Sequence, residues 1–454
     1  MAVRRRLCGD RLRGQTIRCE GEDLTIPVGV DFGTSNCAAA VARNAVPQAL
    51  ALDDDRPLLP SVLYVDRSQG RQGDPASRSM AQLLLGASTI EIGSAAIRAR
   101  IERPEEGVYF KSPKRFLGSE LRPPQRAMFQ NVIAAMLSHI RQRCELGLGD
   151  AVSAVVLGRP VTYSDVHDAQ ADAVAIDTMR AAAAEAGFTD VQFLMEPVAA
   201  ALEFERSLQT ETLALIVDAG GGTTDCSVVR LGPDRARALD RARDVLSFAG
   251  CRAGGVDIDE ALAWRAFTPL LGRDLQTANG RPLPYAVFHQ AISVHDLPAQ
   301  TDFYASEAQI LRFRESVGEP LLIDRLLRLC RNRRTDRLVH SSELAKIALS
   351  EQLSIDVPLT YLAEGLGVGV TRPDVAASAE RAVARMIAAA QEAVRIAAVV
   401  PDVVFVTGGT ARSPVVADAL RAGIGLDVPL VVGDLFGSVA SGLSLHAERV
   451  FECE

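Results

Sequence analysis

Leu213-Ala-Leu-Ile-Val-Asp218-Ala-Gly220-Gly221-Gly222-Thr223-Thr224-Asp225 is an apolar run that ends in an aspartate, three glycines and a second aspartate. Near the start of the chain, Ile26-Pro-Val-Gly-Val-Asp31-Phe-Gly33-Thr34-Ser35-Asn36 follows the same plan. Each reads as a buried strand, a glycine turn and a second β-prone run, Cys226–Leu231 in one and Cys37–Val41 in the other. Asp31 and Asp218 stand about one lobe's length of chain apart. A repeat of this kind predicts two similar lobes facing each other, each sending one loop into a shared cleft.

The stretches around the two loops alternate between strand and helix. Ala151–Leu157 reads as a strand ending at Gly158-Arg159-Pro160. Asp168–Ala186 is an alanine-rich helix closed by Gly187 at the C-cap position. Val191–Leu194 is a short strand, and Pro197 suits the first turn of a helix running to about Arg206. Further on come a helix near Ala376–Ala397, a strand at Val403–Thr407, a helix from about Pro414 and a helix over Phe436–Leu445. This pattern predicts an α/β fold with two lobes, 28–207 and 208–454, each with a mixed sheet and flanking helices. Inserted subdomains are expected at about 53–150 and about 256–350. The second is mostly helical, with Pro320–Cys330 its clearest amphipathic helix. Residues 1–27 are read as a disordered extension or an upstream start.

Composition narrows the setting. The chain has 454 residues, 48% hydrophobic and 23% charged, which allows a large packed core. Its net charge of −8 argues against a general nucleic-acid or anionic-membrane binder. Arg331, Arg333 and Arg334 read as the solvated end of a helix, favoured by its dipole. The eight cysteines lie far apart with no CxxC pair, and there is no HExxH. That excludes a zinc site or disulfide framework as the organising feature and suits a reducing compartment. The arginines from Arg4 to Arg13 are not followed by an apolar signal core, and no run reaches membrane-spanning length. A cytoplasmic protein without membrane or nucleic-acid partners is expected.

The loops also indicate chemistry. No Gly-Lys step of a P-loop and no GxGxxG after a strand is present. Gly33-Thr34-Ser35 and Gly220-Gly221-Gly222 instead expose consecutive backbone N–H groups, which form anion-binding nests. The adjacent aspartates would repel bare phosphate. They make sense if Mg²⁺ sits between, holding its waters and bridging carboxylates to phosphate oxygens. Either loop alone also marks an ordinary turn, but the matched pair specifies a Mg²⁺–nucleotide site.

These stretches resemble the heat-shock protein 70 (DnaK) family in its actin-like nucleotide-binding domain. Asp31-Phe-Gly-Thr34-Ser-Asn is similar to the first phosphate loop, and Asp218-Ala-Gly-Gly-Gly-Thr223-Thr-Asp225 to the second. Met195-Glu196-Pro197-Val-Ala-Ala-Ala resembles the family's Asn-Glu-Pro-Thr-Ala-Ala-Ala. Gly254-Gly255-Val-Asp257-Ile-Asp259 resembles its Gly-Gly-Glu-Asp-Phe-Asp. Phe405-Val-Thr-Gly408-Gly409-Thr410-Ala-Arg412-Ser-Pro414 looks like the adenosine loop. The matches run in family order from Val28 to about Leu445. Only Lys111, Lys114 and Lys346 are lysine, and two of them fall in matched segments. Ser112-Pro-Lys114-Arg-Phe-Leu-Gly118 resembles the segment whose lysine reaches the γ-phosphate, and Glu343-Leu-Ala-Lys346-Ile347-Ala-Leu-Ser350 the helix beside adenine and ribose.

The resemblance implies binding of ATP or ADP with Mg²⁺ and slow ATP hydrolysis, with a co-chaperone or other protein partner. Asp31 and Asp218 would hold the metal mostly through water, with Asp225 and Glu196 ordering its shell. Thr34, Ser35 and Thr223 would lie against the phosphates, with the glycines at 33, 220–222 and 254–255. Lys114 would stabilise charge on the γ-phosphoryl group. Gly408, Gly409, Thr410 and Arg412 would border the adenosine with Glu343, Lys346 and Ser350. Asp257 and Asp259 read equally well as capping residues. Ile347 replaces an arginine that stacks on adenine, and Arg159-Pro160-Val-Thr-Tyr163 replaces the usual Val-Pro-Ala-Tyr-Phe. The resemblance also leads to the expectation of a nucleotide-binding domain alone, without a peptide-binding domain, as in the YegD-like branch. A sugar-type kinase or a nucleotide-dependent scaffold of the same superfold is the alternative.

Overall fold

A computed structural model describes residues 26–66, 89–103, 106–119, 121–163, 169–235, 238, 240–433 and 438–452. The extension before Ile26 and the helix starts expected at Asp168 and Phe436 lie outside these residues.

The two repeated motifs organise two sheets of the same topology. Val28–Phe32 pairs antiparallel with Asn36–Arg43 and parallel with Ala154–Arg159. Val46–Ala49 and Asp190–Met195 extend the sheet on either side. In the second sheet Thr212–Ala219 pairs antiparallel with Thr224–Leu231 and parallel with Val403–Thr407. Val245–Cys251 and Leu430–Val432 occupy the flanks. Each glycine motif is therefore the turn between a central strand and its antiparallel neighbour. Asp31 and Asp218 sit near the carboxyl ends of the central strands, where open α/β sheets present their ligand sites. The apolar runs are buried as parallel-paired strands require, Val28, Val30, Ile216 and Val217 having no exposure.

Helices join the two sheets. Ser438–Glu452 packs against the first sheet and against helix Glu196–Glu205, although the chain reaches it after the second sheet. Glycine permits the close approach: a Cβ at Gly29 would stand 2.2 Å from Ser444 N, and one at Gly442 would stand 1.8 Å from Ala199 O. Val198, Leu202, Ile216, Phe405 and Leu443 form the apolar cluster between the sheets.

Between strands Asn36–Arg43 and Ala154–Arg159 lie a small sheet of Ile90–Ile92, Val62–Asp66 and Gly107–Lys111 and the long helix Pro123–Leu148. That helix buries Ile133, Leu137 and Ile140 in the first lobe's core. Farther along, helix Pro320–Arg331 buries Ile323, Leu326 and Leu329. Helix Thr335–Glu351 includes the Glu343–Ser350 segment read as helical, and the hairpin Ser354–Pro358 and Gly367–Thr371 after it is not anticipated in the sequence. Arg331 pairs with Glu307 at 2.8 Å, and Arg333 stacks over the Tyr304 ring. No described helix is long and apolar enough to cross a membrane.

Candidate functional site

The two glycine loops meet across the cleft. A Cβ on Gly33 would stand 2.2 Å from Asn36 O, so the turn can be this tight only with glycine there. Ser61 secures it from behind, its Oγ donating to Gly33 O (2.7 Å) and its N–H to Ser35 O (2.8 Å). In the second loop Gly220 N donates to Thr223 O at 2.9 Å. Gly220 O accepts from Thr410 Oγ1 (2.7 Å) and Gly255 N (3.1 Å), and Gly221 O accepts from Val256 N (2.7 Å). A Cβ on Gly221 would fall 1.8 Å from Ser35 Oγ, so the loops of the two lobes are in contact.

Around them lies a cleft of about 1480 Å³ whose wall includes Asp31, Lys114, Glu196, Asp218, Thr223 and Asp225. Thr34, Ser35, Gly33, Gly220 and Gly221 share that wall. Lys114 enters from the short helical turn Pro113–Phe116, and its Nζ donates to Glu196 Oε1 at 2.5 Å. Glu196 opens its helix at the end of strand Asp190–Met195, beside Gly158, where a Cβ would stand 3.2 Å from Glu196 Cγ. Burial would lower the Lys114 ammonium, but the charges of Glu196 and Asp31 outweigh it and hold the group above the ordinary lysine value. Burial and then the Glu196 charge push Asp31, Asp218 and Asp225 up to about 7, against the pull of Lys114.

On the other side, Lys346 is engaged within the protein. Its Nζ stands 2.8 Å from Asp259 Oδ1 and donates to Gly255 O at 3.1 Å. Asp259 is 3% exposed and so a buried partner. Asp257 instead caps its helix, accepting from Gly254 N at 2.9 Å. Glu343 accepts from His340 Nδ1 at 3.0 Å when that nitrogen carries the proton. Glu343, Lys346, Ser350, Gly255, Gly408, Gly409, Thr410 and Arg412 all line the cleft. Gly408 has φ +89°, and a Cβ there would meet Asp218 Oδ1 at 2.5 Å. Gly222 and Gly254 do not line the wall; Gly254 backs the second loop, its Cβ position 2.5 Å from Gly221 C. The sequence reading missed Ser61, which carries no motif. It noted Tyr163 only as a departure, although the residue stands on the cleft wall.

The donor set fits a hydrated divalent cation with a nucleotide. Three half-buried carboxylates with raised proton affinity share one ammonium, and a second positive charge would relieve their repulsion. Among the described residues no group of three or more His, Cys, Asp or Glu is placed to ligate a metal directly.

Residues 27–264, which span both glycine loops, match the profile of the Hsp70 protein family. A "Chaperone protein HscA homolog" of Burkholderia thailandensis is 28% identical over 434 residues, covering 93% of this chain and 58% of the relative. A Burkholderia pseudomallei protein of the same name is 29% identical over 450 residues, with the same shares. One of Actinobacillus pleuropneumoniae is 28% identical over 334 residues, 71% of this chain and 51% of the relative. The chain thus spans a little over half the length of the relatives it matches. With two sheets of one topology, a pair of acidic glycine loops between them and this match, the chain belongs to the Hsp70 family and has its actin-like ATPase fold.

Proposed function

We propose that the chain binds ATP and ADP with Mg²⁺ in the cleft and slowly hydrolyses ATP, as a chaperone-related ATPase. The observation that carries this reading is the contact of two acidic glycine loops from topologically equivalent sheets beside a buried Lys114–Glu196 pair. Names of relatives support the chaperone relation, and the resemblance alone supports the narrower YegD-like placement. The lobes divide near residues 207 and 208, and a partner of co-chaperone type acts on their closure. Scattered cysteines accord with a cytoplasmic setting.

Bound Mg²⁺ would neutralise phosphate charge and fix the orientation of the terminal phosphoryl group. Asp31 and Asp218 hold its water shell, with Asp225 and Glu196 accepting from those waters. Backbone N–H groups of the loops at Gly33–Ser35 and Gly220–Thr223 cradle the phosphates, joined by the Thr34 and Thr223 hydroxyls. Lys114 meets the charge that develops on the γ-phosphoryl oxygens, already positioned by Glu196. Gly408, Gly409, Arg412, Glu343, Lys346 and Ser350 border the adenosine.

The test is phosphate release by the purified protein with ATP and Mg²⁺ and no second substrate, beside Lys114→Ala and Asp218→Asn. Release by the wild type, reduced on the order of tenfold or more in both variants, supports the reading. ATP binding without release would shift the reading to an acceptor-dependent kinase or a scaffold. Failure to bind ATP would overturn it.

A further inference from the structure

Tyr163 follows the strand Ala154–Arg159 into the cleft, and its segment is held firmly. Asp172 Oδ1, in the first turn of helix Ala169–Glu185, accepts from Tyr163 N at 2.6 Å and from Thr162 Oγ1 at 3.1 Å. The ring packs against the first lobe's core. The backbone bond and the ring packing together hold the ring beside the cleft.

That hydroxyl is buried and has no hydrogen-bond partner among the described residues. A buried, unpaired O–H is costly, and native structures keep few of them without a ligand or water to meet. The residue stands on the cleft wall, and the charges its phenol feels most strongly are Lys114 and then Glu196. These are the groups assigned above to the phosphate end of the cleft. The family segment that this stretch resembles ends in phenylalanine at the same position, so the hydroxyl is a feature of this chain.

We propose that the Tyr163 hydroxyl donates a hydrogen bond to the terminal phosphoryl group of a bound nucleoside triphosphate and so favours triphosphate over diphosphate. The proposal rests on the nucleotide reading of the cleft. A phenol is a donor only while protonated, and burial raises its pKa, which keeps it so. Lys114 supplies a point charge at the same end, whereas the tyrosine supplies a directional contact that a diphosphate has no oxygen to accept.

The test is calorimetric titration of wild type and Tyr163→Phe with a non-hydrolysable ATP analogue and with ADP, each with Mg²⁺. The variant keeps the packed ring, and its thermal unfolding midpoint checks that the fold is unchanged. The expected result is a Kd for the triphosphate about tenfold weaker, with ADP within about twofold of wild type. Equal weakening of both ligands, or of neither, would overturn the proposal, because a structural role does not distinguish them. Wild-type protein that binds neither ligand would sink the nucleotide reading itself, and this proposal with it.

Discussion

Lys114 Nζ and Glu196 Oε1 lie 2.5 Å apart, joining two lobe I segments at the cleft wall, with side chains only 9% and 13% exposed. Removing one member of so buried a pair leaves the other charge uncompensated, which costs about 3–5 kcal/mol where burial is complete. Lys114→Ala is therefore expected to lower the unfolding midpoint as well as phosphate release. Adding Glu196→Gln removes the stranded charge, so the double variant should regain most of the stability and none of the turnover. Thermal unfolding and phosphate release on the same samples separate the two effects. Turnover that returns with stability would reduce Lys114 to a structural residue.

Gly221 faces Ser35 across the cleft at a distance that no side chain tolerates, its Cβ position 1.8 Å from Ser35 Oγ and 2.8 Å from Ser35 Cβ. Gly221→Ala should force the loops apart and weaken nucleotide binding on the order of tenfold, with little change in stability. Ser35→Gly in the same chain removes both clashing atoms. Affinity measured by titration should then recover in the double variant, and its failure to do so would locate the damage within the second loop alone.

How much of this was legible differs by the range of the interaction. The two glycine turns and their strands could be read because an apolar run ending in Asp-x-Gly is a local signal. Helix Pro123–Leu148 went unread in the sequence, although Val132, Ile133, Met136, Leu137, Ile140 and Cys144 recur at helical spacing. Its Pro123-Pro124 start resembles a loop and obscured it. Asp257 and Asp259 look alike in sequence, yet one caps a helix and the other holds Lys346, 87 residues away. Only tertiary contact separates those fates. The return of Ser438–Glu452 to the first sheet depends on Gly29 and Gly442 meeting partners distant in sequence. An orphaned hydroxyl such as that of Tyr163 is defined by its surroundings and has no signature along the chain.

Arg100 and Asp336 bridge the two inserts at the cleft, Nε to Oδ2 at 3.1 Å with side chains 16% and 21% exposed. Nearby, Lys111 Nζ stands 3.2 Å from His295 Nε2. Burial, Lys111 and Arg115 press His295 down to about 3, so its ring is neutral and accepts from the lysine. Both contacts must part for the inserts to separate. Arg100→Ala should speed release of a fluorescent nucleotide by about two- to fivefold in stopped flow, the scale of a partly exposed pair. The gain should shrink at high salt, where the pair is already screened. An unchanged release rate would mean that another contact limits opening.

His446 makes stability depend on pH in a predictable direction. It is 6% exposed on the helix Ser438–Glu452. Burial first, and then the charges of Arg449 and Arg241, hold its imidazole down to about 4. Arg241 is itself fixed by Glu205 at 2.9 Å, so its charge stays in place as the pH falls. The unfolded chain binds a proton at this histidine near pH 6.5, while the folded chain does not until about pH 4. Acid thus favours the unfolded state between those values, and stability contributed by the neutral ring is present above about 6.5 and lost below it. From pH 7 to pH 5 this one group should cost about 2 kcal/mol. Urea unfolding of wild type and His446→Gln at both values isolates it from every other titrating group. The variant should lose about 2 kcal/mol less than wild type over that interval, whatever its starting stability. Equal losses would show that the His446 ring is charged or solvated in the folded protein.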